Sequence, residues 1–159
     1  MRIVWTEEEY GTGFPEIDGQ HQELFERING LLAACEAGRP KREVDLLLQF
    51  LSLYAVRHFV CEERVMAEHD CRSCKANRDG HRWFAERFAE LKGRYRTEGV
   101  TDALVADLRS LLLGWVDSHI RKVDRALIEV AEPLSPGGAR RRDPPGRARP
   151  RHRAGRPPG

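Results

Sequence analysis

No stretch of this 159-residue chain reaches about 18 uninterrupted apolar residues, and none alternates apolar and polar side chains over the length of a strand. The first absence argues against a membrane-spanning helix, the second against a sheet. The N-terminus, MRIVWTEEEYGTG, has neither a basic start followed by an apolar run nor a small-residue cleavage site. A soluble, cytoplasmic protein is therefore expected. Four cysteines in an ordinary composition are too few for a secreted disulfide scaffold and fit reduced thiols. The length suits one domain with a usable core.

Residues 133–159 have almost no large apolar side chains and no aromatic ring, and they are rich in Pro and Gly. Such a segment cannot bury enough apolar surface to offset its ordering entropy, so it is expected to be a disordered basic tail after a folded domain at 1–132. Its eight arginines face one acidic residue, Asp143, so the formal net charge of +2 conceals a net acidic folded body. Through phosphate charge the tail could contact nucleic acid or an anionic surface. With no aromatic residue among the arginines it offers no stacking platform for single strands, and the plainer reading is a solvated extension.

Apolar residues recur at helical spacing in four segments, each ended by a breaker. The first is expected to open after Asp18 as N-cap and to align His21, Leu24, Phe25, Ile28, Leu31, Leu32 and Cys35 before Gly38 and Pro40. The second runs over 41–68 with Val44, Leu47, Leu51, Tyr54, His58, Glu62, Val65 and Met66 on one side. The third starts near Ala76, carries Asn77, His81, Phe84, Phe88, Leu91 and Tyr95, and stops before Gly99. The fourth follows Thr101 and continues through Leu104, Leu108, Leu111, Leu112, Trp115, His119, Leu127 and Val130 to Pro133. An all-α, antiparallel up-down-up-down four-helix bundle is the economical way to pack four such helices with short links.

Five polar residues, His21, His58, Glu62, His81 and His119, fall on the apolar stripes, where each costs free energy unless satisfied. Alternating helix directions bring His21 level with His58 and Glu62, and His81 level with His119. His58 and Glu62, four apart, point to one locus. Asp124 follows His119 by five residues, about 140° round an α-helix, an offset too large for a shared stripe. Imidazoles with carboxylates suit iron, zinc or manganese, and carboxylates able to bridge suggest two ions.

The elements IDGQH at 17–21, HFVCEE at 58–63, HRWF at 81–84 and HIRKVD at 119–124 occur in the order and at the spacing of the hemerythrin family, and the chain resembles the bacterial hemerythrins over residues 1–131. That resemblance implies a nonheme diiron centre inside a four-helix bundle that binds dioxygen reversibly at one iron, for carriage, storage or sensing. His21 and His58 match the pair on the iron with an open position, Glu62 and Asp124 the bridging carboxylates, and His81 and His119 two of three histidines on the other iron. At the third histidine position this chain has Asn77. Asn77 could bind through its amide oxygen, leave the position to water, or replace an imidazole hydrogen bond in a site for one metal. No nucleophile or general base is required, so the resemblance does not imply an enzyme. The alternatives are an iron enzyme turning over dioxygen, peroxide or nitric oxide, and a structural bundle with a vestigial site. In the second-to-third link, His69 is a conceivable substitute ligand, and Cys71 with Cys74 forms a C-x-x-C pair read as reduced loop thiols.

Overall fold

The computed structural model describes residues 1–69 and 73–131. Cys71 and the basic tail lie outside the described residues, as does the expected domain boundary after residue 132. Among the described residues there are helices and no strand. A short α1 (Glu7–Tyr10), capped by Thr6, precedes the bundle, which consists of α2 (Pro15–Glu36), α3 (Lys41–Glu68), α4 (Cys74–Glu98) and α5 (Asp102–Trp115). Helix α2 packs on α3 and α5, and α4 on α3 and α5, closing the expected ring of four. The N-terminal strap is held to α2 by a reciprocal pair in which Ile3 N donates to Asn29 Oδ1 and Asn29 Nδ2 donates to Ile3 O.

Two helix starts differ from the sequence reading. Helix α2 begins at Pro15, because proline's fixed φ and missing N–H suit the first helical position. Asp18, already inside the helix, accepts hydrogen bonds from Thr12 N and Thr12 Oγ1, both at 2.8 Å, and so ties the preceding loop to the first turn. Helix α4 starts two residues before Ala76, at Cys74. Thr101 caps α5 as expected, accepting from Leu104 N at 3.1 Å.

The largest departure is in the fourth segment. It is not one α-helix running to Pro133. After Trp115 it widens into a π-helical turn, Val116–Ile120, and then tightens into a 3-10 turn, Asp124–Glu129. Arg121 N bonds Val116 O at 3.1 Å, five residues back. The extra residue in that turn shifts the register by one, so Asp124 and Leu127 are buried and Val123 is only half-buried.

Two apolar clusters result. The larger joins all four bundle helices through residues such as Leu24, Leu51, Phe84, Leu108 and Trp115. The smaller contains Ile17, Cys61, Val65, Met66 and Leu127, with Cys74 packed against it. Along α2, α3, α4 and the turns that follow α5, the polar residues fall where the chain passes between these clusters, so the polar layer lies across the bundle near one end, walled by hydrocarbon on both sides. Helix α3 is long and apolar enough to cross a membrane by length and composition alone. Its inner face is spent on this bundle, however, with Val44, Leu47, Leu51, Tyr54, His58 and Glu62 all buried.

Candidate metal centre

His21, His58, Glu62, Asn77 and Asp124 are fully buried, and His81 and His119 nearly so. One donor atom each from His21, His58, Glu62 and Asp124 come within 4.8 Å of one another, and so do one each from Glu62, His81, His119 and Asp124. The two groups share both carboxylates. On one side His21 Nε2 stands 3.4 Å from Asp124 Oδ2 and 3.8 Å from Glu62 Oε1, with His58 Nε2 3.5 Å from Glu62 Oε2. On the other, His81 Nε2 is 3.0 Å from Glu62 Oε2 and His119 Nε2 is 3.0 Å from Asp124 Oδ1. The π turn is what makes this possible, since it carries Asp124 to the same interior point as His119.

Side chains outside the stripes orient the imidazoles. His58 Nδ1 donates to Gln20 Oε1 at 2.8 Å, and His81 Nδ1 donates to Glu63 Oε1 at 2.9 Å. A partner on Nδ1 fixes the tautomer and leaves Nε2 as a lone pair facing the carboxylates, the arrangement metal-binding histidines use. Aromatic rings hold the same imidazoles in place: Phe59 stacks on His81 and Trp115 on His119, both at 3.8 Å between centroids, while Tyr54 stacks on His58 at 4.9 Å.

Gly80 supplies room for His119. A Cβ there would lie 2.3 Å from both Cε1 and Nδ1 of His119, closer than atoms tolerate. Gly80→Ala should therefore displace His119 and weaken metal binding by roughly 10–100-fold. The helix itself should survive, since alanine is a better helix former than glycine by about 1 kcal/mol. Cobalt titration beside far-ultraviolet circular dichroism separates the two effects.

The protonation pattern is that of a site short of positive charge. Burial, reinforced by Asp124, holds the Glu62 carboxyl well above the usual range. Burial pushes Asp124 the same way but is outweighed by its contacts to His119 and His21, which keep it ionised. His58 and His81 are lowered, chiefly by burial, and so remain neutral lone-pair donors. Of the buried polar atoms in this layer, both His21 nitrogens, His58 Nε2, Glu62 Oε1, Asn77 Oδ1, His119 Nε2 and Asp124 Oδ2 make no hydrogen bond. Buried polar groups are normally satisfied. A convergent set of unsatisfied imidazole nitrogens with shared carboxylates fits divalent cations.

A family model for the hemerythrin HHE cation binding domain matches residues 12–131, nearly the whole described bundle. The chain belongs to the hemerythrin family. It is 30% identical over 129 residues to bacteriohemerythrins of Pseudomonas paraeruginosa and Pseudomonas aeruginosa, covering 80% of each chain. A bacteriohemerythrin of Stenotrophomonas maltophilia is 30% identical over 125 residues, covering 78% of both. Among solved structures, a hemerythrin mutant with tyrosine replacing a leucine superposes with a TM-score of 0.66 at 26% identity, over 81% of this chain and 96% of that one.

His21, His58, Glu62, His81, His119 and Asp124, the six residues expected from the sequence, come together at one place. His69 does not. It is exposed, its Nδ1 bonds Val65 O at 2.8 Å, and its ring meets Phe14. Cys74 is free and half-buried, and Cys61 is free and packs in the smaller apolar cluster. Gln20, Glu63, Phe59 and Gly80 are absent from the stripe reading. All four are chain neighbours of site residues, beside His21, Glu62, His58 and His81, about 100° round the helix, and each meets a histidine of another segment. A stripe search discards such neighbours. The paired polar letters in QH and EE were the available signal.

Proposed function

We propose that this protein holds two nonheme irons and binds dioxygen reversibly, for carriage, storage or sensing in the cytoplasm. The observation that carries this reading is the pair of donor groups sharing Glu62 and Asp124. His21 and His58 would hold one iron, His81 and His119 the other, and the two carboxylates would bridge them. Ferrous iron would supply the open coordination position and the electrons that dioxygen binding needs.

The chain's own residues do the remainder. Gln20 and Glu63 keep the imidazole Nε2 atoms aimed inward. Tyr54, Phe59 and Trp115 prevent ring rotation and, with the apolar clusters, exclude bulk water from the layer. Exclusion of water favours reversible binding over loss of electrons to solvent-assisted oxidation. The proposed organisation is a bundle at 1–132 followed by a solvated basic extension at 133–159.

The test is iron per chain after anaerobic reconstitution, with visible spectra before and after air. Close to two irons and a charge-transfer band that appears in air and disappears on deoxygenation are expected. No iron, or iron without the band, overturns the reading. A band that decays irreversibly would favour the alternative of an enzyme turning over dioxygen, peroxide or nitric oxide, for which Asn77 is the motivating feature.

A further inference from the structure

Asn77 lies inside the polar layer with no solvent exposure. Its Nδ2 donates to Glu62 Oε2 at 3.2 Å and to Asp124 Oδ1 at 3.0 Å. These are the two oxygens that His81 Nε2 and His119 Nε2 approach at 3.0 Å each. The amide thus belongs to the His81/His119 half of the centre, reaching those two oxygens from α4, one helical turn before His81 on the same helix. Its other end, Oδ1, is buried without a hydrogen-bond partner. Leaving a buried carbonyl oxygen unpaired costs about 1–3 kcal/mol.

A cation placed among Glu62 Oε2, Asp124 Oδ1, His81 Nε2 and His119 Nε2 would take the lone pairs that Nδ2 now uses. It would also repel the amide's N–H hydrogens. The carboxamide torsion is broad and roughly two-fold, so a half-turn exchanges nitrogen for oxygen with little change of shape. That turn would relieve the repulsion and give Oδ1 a partner.

We propose that Asn77 is a reversible ligand of the His81/His119 metal position: its amide nitrogen clamps the two carboxylates until a cation enters, and its Oδ1 then ligates that cation. This deepens the proposed function and rests on it. The consequence is an unequal pair. Carboxamide oxygen is a harder and weaker donor than imidazole for iron, cobalt or zinc. The His21/His58 position fills first, and the His81/His119 position fills second with lower affinity, set by residue 77.

The test is titration of the chelator-stripped full chain with Co2+ alone, followed by its visible bands and by calorimetry. Wild type should bind two ions in separable steps. In Asn77→Leu, the second step should weaken by at least about tenfold while the first stays within about threefold. Asn77→His should tighten the second step instead, and the circular dichroism of both stripped variants should match wild type. Should Asn77→Leu fail to fold, Asn77→Ala, which likewise lacks a donor oxygen, takes its place with the same expected weakening of the second step. An unchanged second step in Asn77→His, or a second step in folded Asn77→Leu equal to wild type, overturns the proposal while leaving the metal centre intact. Absence of any Co2+ binding by wild type overturns it by a different route, by removing the metal centre on which it rests.

Discussion

Glu62→Ala is expected to remove both metal positions at once, because Glu62 is in both donor groups, whereas His21→Ala or His119→Ala each strike one. The readout is the thermal midpoint with and without divalent metal. At metal concentrations of 100 to 1,000 times its Kd, each occupied position stabilises the folded chain by about 2.7–4.1 kcal/mol. For a bundle of this size, one position corresponds to a midpoint shift of roughly 10 °C, so wild type should show at least that shift and Glu62→Ala should not. A metal-induced shift of wild-type size in the variant would mean that the two groups do not share this carboxylate.

The isosteric change Glu62→Gln separates ligation from burial. Burial and Asp124 raise the Glu62 pKa, so the folded chain binds a proton that the unfolded chain has already released. Stability from this group therefore falls as pH rises from the ordinary carboxylate range through the raised folded value. His58 and His81, lowered by burial, act with the opposite sign, but they are present in both proteins. In metal-stripped protein, the wild-type midpoint should fall relative to that of Glu62→Gln as pH is raised. The variant should gain nothing from added metal. A pH-independent difference between the two would rule out the raised Glu62 pKa.

The second large effect is expected at Trp115. Its ring is 1% exposed, contacts Phe84 and Phe59, and stacks on His119 at 3.8 Å. Trp115→Ala should cost about 3–5 kcal/mol, since the close-packed neighbours collapse only partly into the space left. It should also leave His119 free to turn away from Asp124. Trp115→Phe keeps a stacked ring and discards an indole N–H that has no hydrogen-bond partner, so its cost should be clearly smaller. Urea midpoints give the stabilities, and cobalt titration of the folded variants gives the effect on His119. Equal losses for the two variants would mean that ring stacking contributes nothing.

The bundle was legible because its helices obey one rule, an apolar residue every three or four positions, and the breakers Gly38, Pro40, Gly99 and Thr101 separate them. The histidines were legible for the converse reason: a polar residue on an apolar stripe needs a partner, and each helix offered one at matching depth. Helix starts were less legible. Asp18 has the composition of an N-cap, yet Pro15 starts the helix three residues earlier while Asp18 ties down Thr12. A capping side chain can serve either purpose, and only the path of the loop decides which.

Asp124 marks the limit most clearly. On an ideal helix it points away from His119, and local propensity gives no instruction to insert a π turn at Val116–Ile120. The turn is stable in the folded chain because it buries Ile120 and Leu127 and directs Asp124 toward His21 and His119. The contact with His21 joins helices far apart in the chain and does not exist until the bundle closes. The amino-acid pattern by itself determined four amphipathic helices, their antiparallel order and the meeting of four histidines with Glu62. Tertiary packing decided the register of Asp124, the two-sided hold of Asn77 on the carboxylates, and the stacking of Phe59 and Trp115. Each of these depends on where one helix lies against another, and periodicity along a single helix carries no information about that.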